Sequence, residues 1–515
     1  MDTDKNGQEI LPHQGQRPDD NTKPFACPHM QNLEKKPCML AGDVRINENV
    51  GLASTHVLFM REHNRIAREL KRLNKDNPKW DSERVFQETR LIIIAMHQHI
   101  NYNEYLPKLL GPTVMKRYGL FPTTQGYYFG YDASFDASIS NEFTTAALRF
   151  GHAMVNDDLA RVLSNWKKEG TSRMKDSFFH PFDLYKTGEV GKLLRGLTQD
   201  PSLKADTVFG EDLLNFLFTE HKSKKFGKDL FAINIARGRD HGLRPYNDYR
   251  ALCGLPRAKT FDELTNIPKD IISSLKNIYE DVNDIDLYVG GLAETELDGA
   301  AVGPTFACIL ADQFRDLKRG DRFWYENGGC EVTFSPRQLK AINKGVSLAG
   351  LMCECAHGTE SIAKDVFLFD QEKVSCKDIP KLDLSAWKDP YEYVGANKFQ
   401  EMDTAEWSVW FPSVNGRWDL QTIYSDFKNT LFWFFIGFFQ WIFLSKILFA
   451  NLAIFTFKIK TRCTTPAPTM SASTLYTAKP VTKQTPRKSK FDSCAQLVKS
   501  VRATCPKSRP APTIK

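Results

Sequence analysis

The sequence is most informative first in what it lacks. No Asn-x-Ser/Thr acceptor occurs anywhere in the 515 residues, which argues against a heavily glycosylated exterior. Among 11 cysteines there is no C-x-x-C pair. The sole C-x-C, Cys353 and Cys355, has no second motif to match it, and this speaks against structural zinc. The opening MDTDKNGQEILPHQGQRPDD is polar throughout and contains no apolar leader. Acidic residues become scarce in the last 60 or so positions, where Lys, Arg, Thr and Pro dominate. The formal charge of +7, from 69 Lys+Arg against 62 Asp+Glu, therefore describes a basic tail rather than a nucleic-acid-binding face.

The length accommodates one large helical domain of about 350 to 400 residues with appendages. Residues 1–26 read as an unstructured entry, and alternating apolar runs are few up to about 388, so the fold class is mainly α. Residues 389–429 read as a stalk, richer in Trp, Asp and Asn. The run TLFWFFIGFFQWIFLSKILFANLAIFTF, 430–457, is long enough to cross a bilayer as one C-terminal transmembrane helix. Within it Gln440 and Lys446 fall near mid-bilayer, where a lysine costs roughly 2.5 to 3.5 kcal/mol, and the many Phe, Leu and Ile residues offset that cost. The basic stretches that follow place the tail, 458–515, in the cytoplasm as a disordered segment and the main body outside. Cys27 with Cys38, and the cluster Cys353, Cys355 and Cys376, suggest loop-stapling bridges in an oxidising compartment. That inference conflicts with the polar opening unless a preceding segment is missing.

Within the body, WDSERVFQETRLIIIAMHQHI predicts a buried helix capped by Asp81 or Ser82. NEFTTAALRFGHAMV predicts another, with Phe143, Ala147, Phe150 and Met154 on one stripe and Arg149 and His152 in the same apolar neighbourhood. Most histidines read as packing or hydrogen-bonded residues: His56 and His63 lie seven apart, His97 and His99 point in different directions, and His241 sits in an irregular corner. His152 differs. It follows Gly151, and a glycine there lets a flat group approach the backbone beside the imidazole, as an axial haem ligand requires.

The segments AGDVRINENVGLASTHVLFMREHNRIA (41–67), WDSERVFQETRLIIIAMHQHINYNEYLPKLLG (80–111), LRFGHAMV (148–155), ARGRDHGLRPYNDYRALCGLP (236–256), NDIDLYVGGLAE (283–294) and GPTFACILADQFRDLKRGDRFWYEN (303–327) follow the order found in the animal haem peroxidases. Together with the Cys353 to Cys376 region, the chain resembles that family over residues 27–388. The resemblance implies haem as cofactor and His152 as its iron ligand. It implies Asn247 as the amide that fixes the imidazole, Arg149 as the partner of a haem propionate, Arg45 as the arginine that assists O–O cleavage, and Glu48 as a carboxylate that can be esterified to the haem. It also implies the bridges Cys27–Cys38, Cys253–Cys308 and Cys353–Cys376; Cys330 and Cys355 are extra to that pattern and could pair with each other.

The family's distal histidine and calcium loop lie upstream of anything matched here, and Asn49 stands where some members carry a haem-linked methionine. The activity implied is oxidation of phenolic donors, halide or thiocyanate by hydrogen peroxide at an extracellular or membrane-anchored site, with no nucleic acid involved. The missing proton acceptor leaves two expectations: an incomplete chain of an ordinary peroxidase, or a haem-binding or adhesion-type ectodomain without turnover. A fatty-acid oxygenase of the cyclooxygenase type would need a tyrosine near the proximal helix, where Phe150 stands.

Overall fold

The computed structural model describes residues 2–3, 9–11, 38–43, 45–329 and 333–389. Fourteen α-helices and three two-stranded antiparallel ladders make up these residues, which confirms the mainly α class. The ladders are β1 (Asp2–Thr3) with β2 (Glu9–Ile10), β3 (Asp158–Val162) with β4 (Lys168–Arg173), and β5 (Ser361–Ala363) with β6 (Lys373–Ser375).

The longest helix, α1 (Val50–Leu73), is the axis of the core. Its entry is capped by the side chain of Asn49, which accepts from Leu52 N at 3.0 Å. Every residue from Val50 to Phe59 is buried, and Ser54 and Thr55 satisfy their hydroxyls on carbonyls of the preceding turn. α2 (Ser82–Ile100), capped by Asp81 as the sequence predicts, packs against α1 and continues through a π-helical turn, Asn101–Tyr105, into α3 (Leu106–Arg117). Gly111 breaks α3 at φ 75°, and a Cβ there would meet the Asp298 carbonyl at 2.7 Å.

The chain then forms α4 (Asn141–Thr145), a 3-10 helix at Ala147–Met154, the β3/β4 hairpin, α5 (Met174–Ser177), a 3-10 turn at Pro181–Tyr185, α6 (Glu189–Gln199) and α7 (Glu211–Asn215). Next come α8 (Leu230–Asp240), α9 (Tyr246–Leu252), α10 (Lys269–Lys276), α11 (Leu287–Ala293), α12 (Pro304–Arg319), α13 (Pro336–Gly345) and α14 (Leu348–Cys355). α6 and α14 complete the packing around α1, and α12 lies against α3, α4 and the 3-10 helix.

Several expectations change. The stretch from Asn141 to Met154 is not one helix: Ala146, at φ −130° and ψ −68°, breaks it, and the second half winds as 3-10. Of the entry segment 1–26 only residues 2–3 and 9–11 are described, and residues 9 and 11 contact the body. Arg61 donates to the Glu9 carbonyl at 2.8 Å, Arg68 pairs with the Glu9 carboxylate at 2.7 Å, and Leu11 joins the core. Cys253–Cys308 and Cys353–Cys376 are bonded, and Cys38 is also in a disulfide. Cys27 and Cys330 lie outside the described residues. The suggested Cys330–Cys355 pair does not form, because Cys355 is a free buried thiol facing the Glu62 carboxylate at 3.2 Å. The segments 390–429, 430–457 and 458–515 also lie outside the described residues, and among those described no helix is long and apolar enough to cross a membrane.

Candidate haem site

The 3-10 winding at Ala147–Met154 sets how Arg149 and His152 are presented. With three residues per turn, positions i and i+3 eclipse, so Arg149 and His152 share one face, and both are buried. The imidazole is met from α8: Asn234 Nδ2 lies 2.8 Å from His152 Nδ1. The same amide presents Oδ1 to Arg149, whose Nη1 donates at 3.0 Å, while Arg149 Nε donates to the Thr144 carbonyl at 3.1 Å. From α11 the Tyr288 hydroxyl donates to the Arg149 carbonyl at 3.0 Å. Three helices thus converge on one turn.

The amide expected in this role, Asn247, is not there. It sits in the first turn of α9, where its amide nitrogen donates to the Ala258 carbonyl at 2.7 Å and to Asn283 Oδ1 at 2.8 Å, and its oxygen accepts from Ala258 N at 3.0 Å. All of its capacity is spent on holding the loop after α9. Asn234, in FAINIARGRD, carries the imidazole instead. The sequence offered a weak signal for it, an amide among apolar residues one turn before the arginine-rich corner.

Burial, reinforced by the nearby Arg149 cation, holds the His152 imidazole well below its ordinary range, so it is neutral and able to coordinate metal. Burial also pulls the Arg149 guanidinium down to about 10, and no carboxylate of the described residues forms an ion pair with it. A buried cation held only by neutral oxygens is unusual and suits an anionic ligand group.

The other residues that the resemblance implies for the site, Arg45 and Glu48, lie in the loop that precedes α1. Arg45 is clamped by Asp43 through both oxygens, Nε to Oδ1 at 2.9 Å and Nη2 to Oδ2 at 2.8 Å, a bidentate pairing that fixes the plane of the guanidinium. Burial works against the Asp43 charge, yet Arg45 prevails and holds that carboxyl low. Asp43 was not singled out from sequence, although its place two residues before Arg45 is a usable signal. His56 lies within electrostatic reach of this pair, and burial drives it down to about 3 and keeps it neutral.

Glu48 is buried. Its Oε2 accepts from Asn49 Nδ2 at 2.7 Å, and its Oε1 has no hydrogen-bond partner among the described residues. Burial pushes its carboxyl up to about 8, so it is neutral near pH 7. Phe179, held at φ 52°, donates its N–H to the Glu48 carbonyl at 3.1 Å, a left-handed bulky residue spent on fixing this loop. A cavity of about 470 Å³ opens elsewhere, between Trp166, Pro201 and Phe369, and none of the site residues lines it.

The sequence pattern of the family described as animal haem peroxidase matches residues 1–367. The chain belongs to the animal haem peroxidases. It is 42% identical over 379 residues to the human peroxidasin homolog, covering 71% of this chain and 24% of that protein. It is 36% identical over 393 residues to human eosinophil peroxidase, covering 74% of this chain and 52% of that protein. Among solved structures, peroxidase A from Dictyostelium discoideum superposes with a TM-score of 0.58 at 35% identity, covering 71% of this chain and 65% of that one. The chain spans about a quarter of the length of the curated peroxidasin relatives it matches.

Membership implies haem, and the residues present fit it. A neutral buried imidazole could coordinate a metal, and among the described residues a buried cation has no carboxylate paired with it and a neutral carboxyl keeps one oxygen without a hydrogen-bond partner.

Proposed function

We propose that this chain is a haem-dependent peroxidase that uses hydrogen peroxide to oxidise small phenolic donors, halide or thiocyanate. The observation that carries the reading is the buried chain Arg149–Asn234–His152, which couples an anion site to a metal-ligand site through one amide. Haem would supply the redox chemistry. Ligation through His152 Nε2 places the ring proton on Nδ1, and Asn234 must then offer its oxygen to that proton. Turning the amide over gives up the bond from Arg149 Nη1, which becomes available to a propionate. Anion binding by Arg149 and metal binding by His152 therefore support each other.

Arg45, oriented by Asp43, would stabilise negative charge on the departing peroxide oxygen. Glu48, neutral and with Oε1 unsatisfied, is suited to an ester with the porphyrin periphery. The same reading puts the body outside the plasma membrane, with 430–457 as anchor and 458–515 as cytoplasmic tail. The two described disulfides support an oxidising compartment.

The test is to load the full chain with haem and record the Soret band in wild type and His152→Ala, then add hydrogen peroxide. Binding and a peroxide-induced spectral change in wild type, with loss of binding in the variant, are expected. Equal haem uptake by both would overturn the ligand assignment. A bound haem that is inert to peroxide would favour the haem-binding ectodomain without turnover.

A further inference from the structure

A ladder of aromatic rings runs from α4, beside the Arg149–His152 turn, to Trp324 and Tyr325, and the Lys318 ammonium links it to Tyr128 nearer the surface. Phe143, on α4 just ahead of the turn that bears Arg149 and His152, meets Phe314 of α12 edge-on at 5.8 Å. Phe314 meets Tyr102, on the π-helical turn, at 5.9 Å. Tyr102 meets Trp324 at 4.6 Å, and Trp324 meets Tyr325 at 5.0 Å. Lys318 then bridges outward, its ammonium 5.5 Å from the Trp324 ring and 4.6 Å from that of Tyr128. Tyr102, Trp324 and Tyr325 are buried, whereas Tyr128 is half-buried and its neighbour Phe129 is 81% exposed. Gly130 makes the outer rung possible, since a Cβ there would stand 2.2 Å from the Tyr128 ring.

Packing alone would be served by Phe or Leu at these positions. Two oxidisable rings instead have a proton acceptor at the atom that would lose a proton. Trp324 Nε1 donates to Glu326 Oε2 at 3.0 Å. The Tyr325 hydroxyl lies 2.9 Å from His99 Nδ1, with the Glu326 carboxylate against the same hydroxyl. Glu326 is fully buried, its other oxygen accepts from Thr123 N and Oγ1, both at 2.8 Å, and the positive charge facing it is Lys318. A buried carboxylate holds the unoxidised phenol of Tyr325 protonated, but it lowers the cost of the positive charge that one-electron oxidation leaves on the indole and can take the Nε1 proton then released.

We infer that Tyr128 is a second, surface oxidation site, fed through Trp324 and Tyr102, at which phenolic groups on macromolecules too large for the buried haem site are oxidised. The inference rests on the haem-peroxidase reading, which supplies the oxidant. Trp324 gives one electron toward the haem side and its Nε1 proton to Glu326. It recovers an electron from Tyr128 and its proton from Glu326, and the Tyr128 phenol proton goes to water. An external phenol restores Tyr128 by giving up one electron and one proton. Over two such passes two phenols become phenoxyl radicals and one hydrogen peroxide becomes two waters.

The experiment uses the haem-loaded full chain, one equivalent of hydrogen peroxide and a nitroso spin trap, with peptide mapping of the adduct and electron paramagnetic resonance of the radical. Alongside, oxidation of a phenol tethered to a polymer is compared with that of the same free phenol. The expected result is an adduct at Tyr128, with both the adduct and the tethered-to-free ratio falling at least about tenfold in Trp324→Phe and in Tyr128→Phe. Tyr128→Phe removes only one half-buried hydroxyl and guards against misfolding of the core variant. Unchanged adduct and ratio in both variants, with peroxide still consumed, would overturn the ladder and leave the haem reading standing. A chain that takes no haem, or whose haem ignores peroxide, would overturn the haem reading and the ladder with it.

Discussion

The loop before α1 and the 3-10 turn around His152 are built on opposite plans. In the loop the side-chain bonds are local: Arg45 to Asp43 two residues away, Glu48 to Asn49, Asn49 to Leu52, and a two-way amide pairing of Asn47 with Met39 eight residues back, with the Phe179 N–H on the Glu48 carbonyl as a remote backbone tie. At the turn they are remote: Asn234 is 82 positions from His152 and 85 from Arg149, and Tyr288 is 139 from Arg149. Most of the loop's side-chain bonds can form within the loop, whereas the side chains of the turn find most of their partners only once α8 and α11 have docked. Chemistry that needs an oriented cation beside solvent suits the first plan. Chemistry that needs a ligand in dry surroundings suits the second.

The contrast can be broken first on the loop, where the expected effect is largest. Arg45→Leu should slow the reaction of the haem-loaded chain with hydrogen peroxide by about 10² to 10³, in line with removal of one well-placed donor to a developing oxyanion. Asp43→Asn should cost about tenfold, because the guanidinium stays but loses its bidentate partner. Stopped-flow absorbance reads both. An Arg45→Leu chain that reacts at the wild-type rate would show that the loop only positions α1.

The turn is tested by its two asparagines. Asn234→Leu should weaken haem binding by about tenfold to hundredfold, the usual cost of losing the group that orients a metal-bound imidazole. Asn247→Leu should leave haem affinity and the Soret position unchanged while lowering stability by about 1 to 3 kcal/mol, because it strands the Ala258 backbone groups. If haem titration found the larger loss at 247, the structural assignment of the imidazole's partner would be wrong.

What was legible in the sequence follows the same division. The caps Asp81 and Asn49 act on residues within the next helical turn, and the Asp81 cap could be read from residue type and position alone. Arg149 and His152 were legible as a pair because three residues separate them, although a 3-10 helix, not an α-helix, brings them onto one face. Asn234 was not legible, because which amide reaches an imidazole 82 positions away depends on how α8 docks. Asn247 had the right chemistry and motif but the wrong address, and nothing local separates the two. Asp43 was passed over for the opposite reason: its partner is so near that the pair reads as an ordinary surface charge couple until burial of the carboxylate is known.

Glu48 sharpens the comparison from the loop's buried end. Its carboxyl has a folded pKa of about 8 against an ordinary value of 4.5, raised chiefly by burial, while Asn49 and Arg45 pull the other way. Between these two values the unfolded chain releases a proton that the folded chain keeps, so the unfolded state gains free energy of ionisation and stability falls as pH rises from about 5 to about 8. Glu48→Gln keeps the shape and removes the titration. Chemical denaturation of the haem-free chain across that window should therefore show a shallower decline for Glu48→Gln than for wild type, with the gap reaching a few kcal/mol at most by pH 8. Glu104, whose carboxyl burial likewise pushes up to about 8, titrates over the same range in both proteins and cancels in the difference. Parallel pH profiles would mean that the Glu48 carboxyl is already ionised in the folded chain. The loop would then present a second charge beside Arg45.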